Sequence, residues 1–128
     1  MTRYALLLEY DGSDYYGWQT QKDVVTVQQQ LEKALSSFAN HPVTTVTAGR
    51  TDTGVHALNQ VVHFDSSATR SLAGWINAVN SKLPITIRVK DVVKVPANFD
   101  ARFSALSRTY HYYLLIQLYE QKSHKKSN

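Results

Sequence analysis

The chain contains no cysteine, which excludes a disulfide framework, a thiolate metal site and a cysteine nucleophile, and suits a reducing compartment such as the cytoplasm. It has no long apolar run. Arg3 precedes Tyr4-Ala5-Leu6-Leu7-Leu8, and Glu9 cuts that run, so the segment is too short for a signal-peptide core or a bilayer span and reads as a buried strand. No membrane association is expected. The five histidines, His41, His56, His63, His111 and His124, are scattered without metal-ligand spacing, so no metal site is expected either. Proline and glycine are few, and no repeat or low-complexity segment interrupts the chain. Strong charge is also missing: the formal net charge is +4, and the tail from Tyr119 to Asn128 supplies +2 of it through Lys122, Lys125 and Lys126 against Glu120. That mild excess is compatible with a polyanionic partner without requiring one. The tail reads as a solvated end rather than an RNA-binding arm. A length of 128 residues fits one domain with a real core.

The pattern of elements can be followed along the chain. Residues 3 to 10 read as a first strand, followed by a loop carrying Gly12, Tyr15, Tyr16, Gly17 and Trp18, whose aromatics could stack on bases or staple the loop to the core. Thr26 with Gln29 makes a capping box, and Val27, Leu31, Ala34, Leu35 and Phe38 form one helical stripe that ends at Asn40-His41-Pro42. Val43 to Arg50 and Leu58 to Asp65 read as two strands of a hairpin. A second helix is expected from about Ser71 to Lys82, with Leu72, Trp75, Ile76 and Val79 on one face and Pro84 closing it. Ile85, Ile87 and Val89 then alternate with Thr86, Arg88 and Lys90 at the period of a half-buried strand. The order β-α-β-β-α-β predicts an α+β, ferredoxin-like antiparallel sheet with both helices on one face. An additional C-terminal strand is expected over Arg108 to Gln117, apolar or aromatic on both sides, before a polar, disordered tail over 118–128.

At the tip of the expected hairpin lies Gly49-Arg50-Thr51-Asp52-Thr53-Gly54-Val55-His56, a glycine-bracketed loop that sets a carboxylate beside a guanidinium. Asp52 is ionised at neutral pH, since an unperturbed aspartate titrates at about 3.9, and could act as nucleophile, base or electrostatic stabiliser. From spacing alone the same residues also suit an Asx-type turn with a surface ion pair.

Three blocks occur in order: Tyr10-Asp11-Gly12 through Tyr16-Gly17-Trp18-Gln19, then Gly49 through Ala57, then Ala101-Arg102-Phe103-Ser104-Ala105 with Arg108 and Tyr110. Together they resemble the signature blocks of the tRNA pseudouridine synthase A family, from residue 3 to about 116, and the GRTDTGVHA block is highly specific. The resemblance implies an isomerase that converts uridine to pseudouridine in the anticodon stem-loop of tRNA, with no redox, metal or small-molecule cofactor. It assigns the catalytic role to Asp52. Cleavage at an anomeric carbon builds oxocarbenium character that a nearby carboxylate can capture or stabilise, so the residue chemistry agrees. Arg50 is implied to help hold the uridine out of the RNA stack, at an extrusion cost of a few kcal/mol, beside its plain alternative as a counter-ion for Asp52. Tyr110 is implied to contact the flipped base, its alternative being a core tyrosine. Arg102 and Arg108 match basic positions that line the RNA-facing cleft, or else make ordinary ion pairs, and His56 orients the loop on the RNA side.

The resemblance further implies that residues 1–117 are the N-terminal α/β half of a catalytic domain. The second half of family members supplies a basic partner for the catalytic aspartate and an apolar residue beside the uracil. On that comparison the chain looks truncated and is expected to be inactive alone or to rebuild its site as a homodimer, which would also cover an open sheet edge. A non-catalytic RNA-binding module derived from this fold is the alternative from a different class.

Overall fold

A computed structural model describes residues 1–11, 26–47 and 57–103. Strand β1 (Thr2–Tyr10), helix α1 (Val27–Ala39), strands β2 (Val46–Thr47) and β3 (Ala57–Ser66), helix α2 (Leu72–Lys82) and strand β4 (Ile87–Val95) follow in that order, and a 3-10 turn at Ala101–Phe103 comes after them. The four strands form one sheet in the order β2-β3-β1-β4, with every pairing antiparallel. This is the α+β, ferredoxin-like arrangement expected from the element order. The expected strand over 108–117, the tail and the aromatic loop lie outside the described residues.

β1 is central because it is apolar on both faces. Tyr4, Leu6, Leu8 and Tyr10 pack with Val62 and Phe64 of β3 and with Val27, Leu31 and Leu35 of α1 and Trp75 and Val79 of α2, so both helices cover one face. Ala5 and Leu7 point the other way and pack with Val61, Val93, Phe99 and Ala101. A run such as Tyr4-Ala5-Leu6-Leu7-Leu8 is what a doubly covered strand requires.

Both helices begin at a side-chain cap. The Thr26 hydroxyl accepts from Gln29 N–H at 3.2 Å and the Ser71 hydroxyl from Gly74 N–H at 2.9 Å, each relieving an N–H that the helix leaves unpaired. α1 stops at Asn40, whose φ of 60° is a left-handed conformation that asparagine tolerates better than most residues. Between helices and sheet, Trp75 gathers Tyr4, Phe64 and Phe38 at centroid distances of 5.4, 5.1 and 5.1 Å.

Two strands differ from expectation at their ends. Val43 and Thr45 do not join the sheet ladder, because the Val43 N–H donates to Ser36 Oγ at 2.8 Å and the Thr45 N–H to Glu32 Oε2 at 2.6 Å, leaving β2 only Val46–Thr47 among the described residues. Ile85 lies in the turn before β4 and is 82% exposed, so the strand starts at Ile87. β4 also carries a bulge: Leu7 pairs with Asp91 and Leu8 with Val89, leaving Lys90 as the extra residue. The bulge lets Val89 and Val92, three positions apart, face the same helix-covered core.

Candidate functional site

One end of the sheet gathers the approaches to the first two sequence blocks, and the third begins near its other end. Tyr10, the last residue of β1, pairs with Ala57 at the start of β3 and with Ile87 at the start of β4. The Asp11 N–H donates to Thr86 O at 2.9 Å, closing the same edge. β2 and β3 run antiparallel with Val46 opposite His63 and Thr47 opposite Val62, so segment 48–56 connects two paired strands at this end, and segment 12–25 leaves β1 there. Arg50, Asp52 and His56 belong to the first of these segments and lie outside the described residues, as do Arg108 and Tyr110.

Three buried or half-buried polar side chains tie this end together. The Tyr10 hydroxyl donates to Gln60 Oε1 at 2.7 Å, Gln60 Nε2 donates to Thr47 Oγ1 at 3.0 Å, and the Thr47 hydroxyl donates to the Val61 carbonyl at 2.8 Å. The chain of bonds crosses β1, β3 and β2 in turn.

Arg102 is the one expected site residue within the described part. It sits on the turn after β4, against the sheet face opposite the helices, where Phe99 and Ala101 are buried. The Ala101 N–H donates to His63 Nδ1 at 2.9 Å, and the Phe99 ring meets the His63 ring edge-on. A backbone N–H can only donate, so Nδ1 must be the acceptor and the imidazole neutral. Burial lowers the His63 pKa below its ordinary 6.5, and the neighbouring Arg3 charge pushes the same way. Arg3 grips the turn from the other side: its Nε and Nη2 donate to the two carboxylate oxygens of Asp65 at 2.9 and 3.0 Å, and its Nη1 donates to the Phe99 carbonyl. Arg3 and Asp65 stand opposite each other on β1 and β3. Their hydrogen bonds hold the Asp65 carboxyl below its ordinary range.

The Arg102 side chain is 65% exposed and grips Asp100 through Nε at 3.1 and 3.0 Å and through Nη2 at 2.6 Å. The Arg102 N–H also donates to Asp100 Oδ1, and these bonds pull the Asp100 carboxyl down to about 2. The ordinary ion pair weighed for Arg102 is thus present. A guanidinium that holds a carboxylate by two parallel bonds has the geometry to hold a phosphate, and the Arg102 side of this pair is open to solvent. Arg3, His63 and Asp65 were not singled out from sequence. Their partners are far away along the chain, and only the β1–β3 register brings them together. Among the described residues no group of three or more His, Asp or Glu side chains is placed to hold a metal, and no helix is long and apolar enough to cross a membrane.

With the fold and the sheet end in view, comparison with known proteins defines the class. A family profile of the tRNA pseudouridine synthases matches residues 7–104, and the chain belongs to that family. It is 52% identical over 117 residues to tRNA pseudouridine synthase A of Vibrio cholerae, covering 91% of this chain and 44% of that relative. The corresponding protein of Aeromonas hydrophila is 56% identical over 110 residues, covering 86% of this chain and 41% of the relative. That of Klebsiella pneumoniae is 57% identical over 108 residues, covering 84% and 40%. The chain therefore spans less than half the length of these curated relatives.

Proposed function

We propose that this chain carries the catalytic aspartate of a synthase that isomerises uridine to pseudouridine in the anticodon stem-loop of tRNA, with Asp52 as that aspartate. The supporting observation is that the family match covers the whole GRTDTGVHA block, residues 49–57, in the stretch of chain that joins the paired strands β2 and β3. In the reaction the bond between ribose C1′ and uracil N1 breaks, a bond from C1′ to C5 forms, C5 loses its proton and N1 gains one. No redox equivalent is consumed and no atom is added. A carboxylate at the anomeric carbon can capture or stabilise the positive charge that develops as the base departs.

Arg50 holds the uridine out of the stack, and Tyr110 packs on the flipped base, where stacking contributes roughly 1–3 kcal/mol. Arg102, Arg108 and His56 face the RNA, with Arg102 exchanging Asp100 for phosphate. The working form is a homodimer in the cytoplasm, where tRNA is modified.

Release of tritium from an anticodon stem-loop labelled at uridine C5 tests the assignment. The Asp52→Asn variant is expected to lose release, by about 10³-fold or more as for other groups acting on reacting atoms, while RNA affinity is kept. Release that persists in Asp52→Asn removes Asp52 from the chemistry. RNA binding without release by the unsubstituted 128-residue chain makes it a binding-competent fragment whose Asp52 lacks the partners of the second half, and release that depends on Asp52 excludes the RNA-binding module.

A further inference from the structure

The geometry points to Tyr10, Gln60 and Thr47 as positioning residues that lock the roots of segments 12–25 and 48–56 into one register and thereby set the place of Asp52, an inference that rests on the catalytic reading of Asp52 above. Gln60 is 8% exposed and Tyr10 3% exposed on a sheet face otherwise built from Leu6, Leu8, Val62 and Phe64. An apolar side chain would cover that place without the cost of removing an amide from water. What the amide adds is direction. The Val61 carbonyl can only accept, so the Thr47 hydroxyl donates to it and must itself accept from Gln60 Nε2. Gln60 Oε1 is thereby turned to β1, and the Tyr10 hydroxyl donates to it.

The polarity of these three bonds is thus determined. The residues that make them stand at the points where chain leaves or enters the sheet. Thr47 ends β2 immediately before segment 48–56, Gln60 lies three residues after β3 begins at Ala57, and Tyr10 ends β1 just before segment 12–25. Slippage of β2 against β3, or of β3 against β1, breaks at least one bond. A reacting group displaced by about 1 Å loses on the order of 10²-fold in rate, so an anchor at these roots is where a sheet can control the position of a carboxylate.

The test is amide hydrogen exchange through 48–56 in the full 128-residue chain, compared across Thr47→Val, Thr47→Ser and Tyr10→Phe. Thr47→Val and Tyr10→Phe keep size and strand preference and remove one hydroxyl each; Thr47→Ser retains the hydroxyl. We expect exchange in 48–56 to quicken about tenfold or more in Thr47→Val and Tyr10→Phe, with the centres of β1 and β4 unchanged and Thr47→Ser close to the parent. Equal acceleration throughout the sheet, parent-like exchange in both hydroxyl-deleted variants, or a 48–56 segment already unprotected in the parent overturns the inference. In tritium release under single turnover, the same two variants are expected to lose about 10- to 100-fold in rate at saturating RNA with affinity unchanged, and Thr47→Ser to recover it. Undiminished rates in both variants also overturn the positioning role. Persistent release in Asp52→Asn instead strikes the assignment of Asp52, and the exchange comparison still decides the anchor.

Discussion

His63 is held neutral by a backbone donor, and that has a definite consequence for stability. Its pKa in the fold lies below the ordinary 6.5, so below that pH the unfolded chain binds the additional proton first. The contribution of the neutral ring is present above about pH 6.5 and is lost as pH falls through the depressed value, with Arg3 and Arg102 opposing the charge and Asp65 and Asp100 favouring it. Urea midpoints measured from about pH 7.5 to 5 should fall in the parent and fall less in His63→Gln, whose amide oxygen can still accept from Ala101. Equal slopes would remove His63 as the source. The sequence offered His63 only as one of several scattered histidines. Its role follows from Ala101, distant along the chain, being laid over β3 by the turn after β4.

At the scale of elements, local rules were readable wherever a segment meets its own neighbours. The cap at Thr26, the stripes of α1 and α2 and the doubly apolar β1 are present as periodicity and side-chain chemistry imply, and Ser71, expected only as the approximate start of α2, is its cap. What periodicity missed lies at the ends. Ile85 continues an alternation that the turn cuts off, and Val43 to Thr45 have strand composition yet give their N–H groups to Ser36 and Glu32 of α1. Helix–helix contact also alters a simple propensity rule at Gly74. Alanine in a helix ordinarily gains about 0.5–1 kcal/mol over glycine, but a Cβ there would stand 3.0 Å from Ser71 Oγ and 3.1 Å from Phe38 Cζ. Ser71 is the cap of α2 and Phe38 is packed on Trp75, so neither is free to retreat. Gly74→Ala is expected to melt below the parent. A higher melting temperature would mean that the Phe38 ring gives way.

For the molecule as a whole, the sheet divides the work. One face builds the core with both helices, the other receives the turn of Arg102, and one end collects the roots of segments 12–25 and 48–56, the second of which carries Arg50, Asp52 and His56. If Arg102 exchanges Asp100 for phosphate, affinity for an anticodon stem-loop should fall linearly on a log–log plot against salt, and Arg102→Ala should lower the slope by about one. Asp100→Asn, which removes the competing carboxylate, should tighten binding. An unchanged slope in Arg102→Ala would confine this arginine to its ion pair.

The residues alone determined the family, because the GRTDTGVHA block and its flanking blocks are contiguous stretches whose chemistry is written in their order. They also determined the α+β element order, since helical and strand periods are local properties of a chain. Only the tertiary structure decided that β1 lies between β3 and β4, that Arg3 spans to Asp65 and Phe99, and that Tyr10, Gln60 and Thr47 join into one directed chain of bonds. Those pairings join residues far apart in sequence, and their partners are chosen by strand register and by the requirement that buried donors and acceptors be satisfied, neither of which any local pattern encodes.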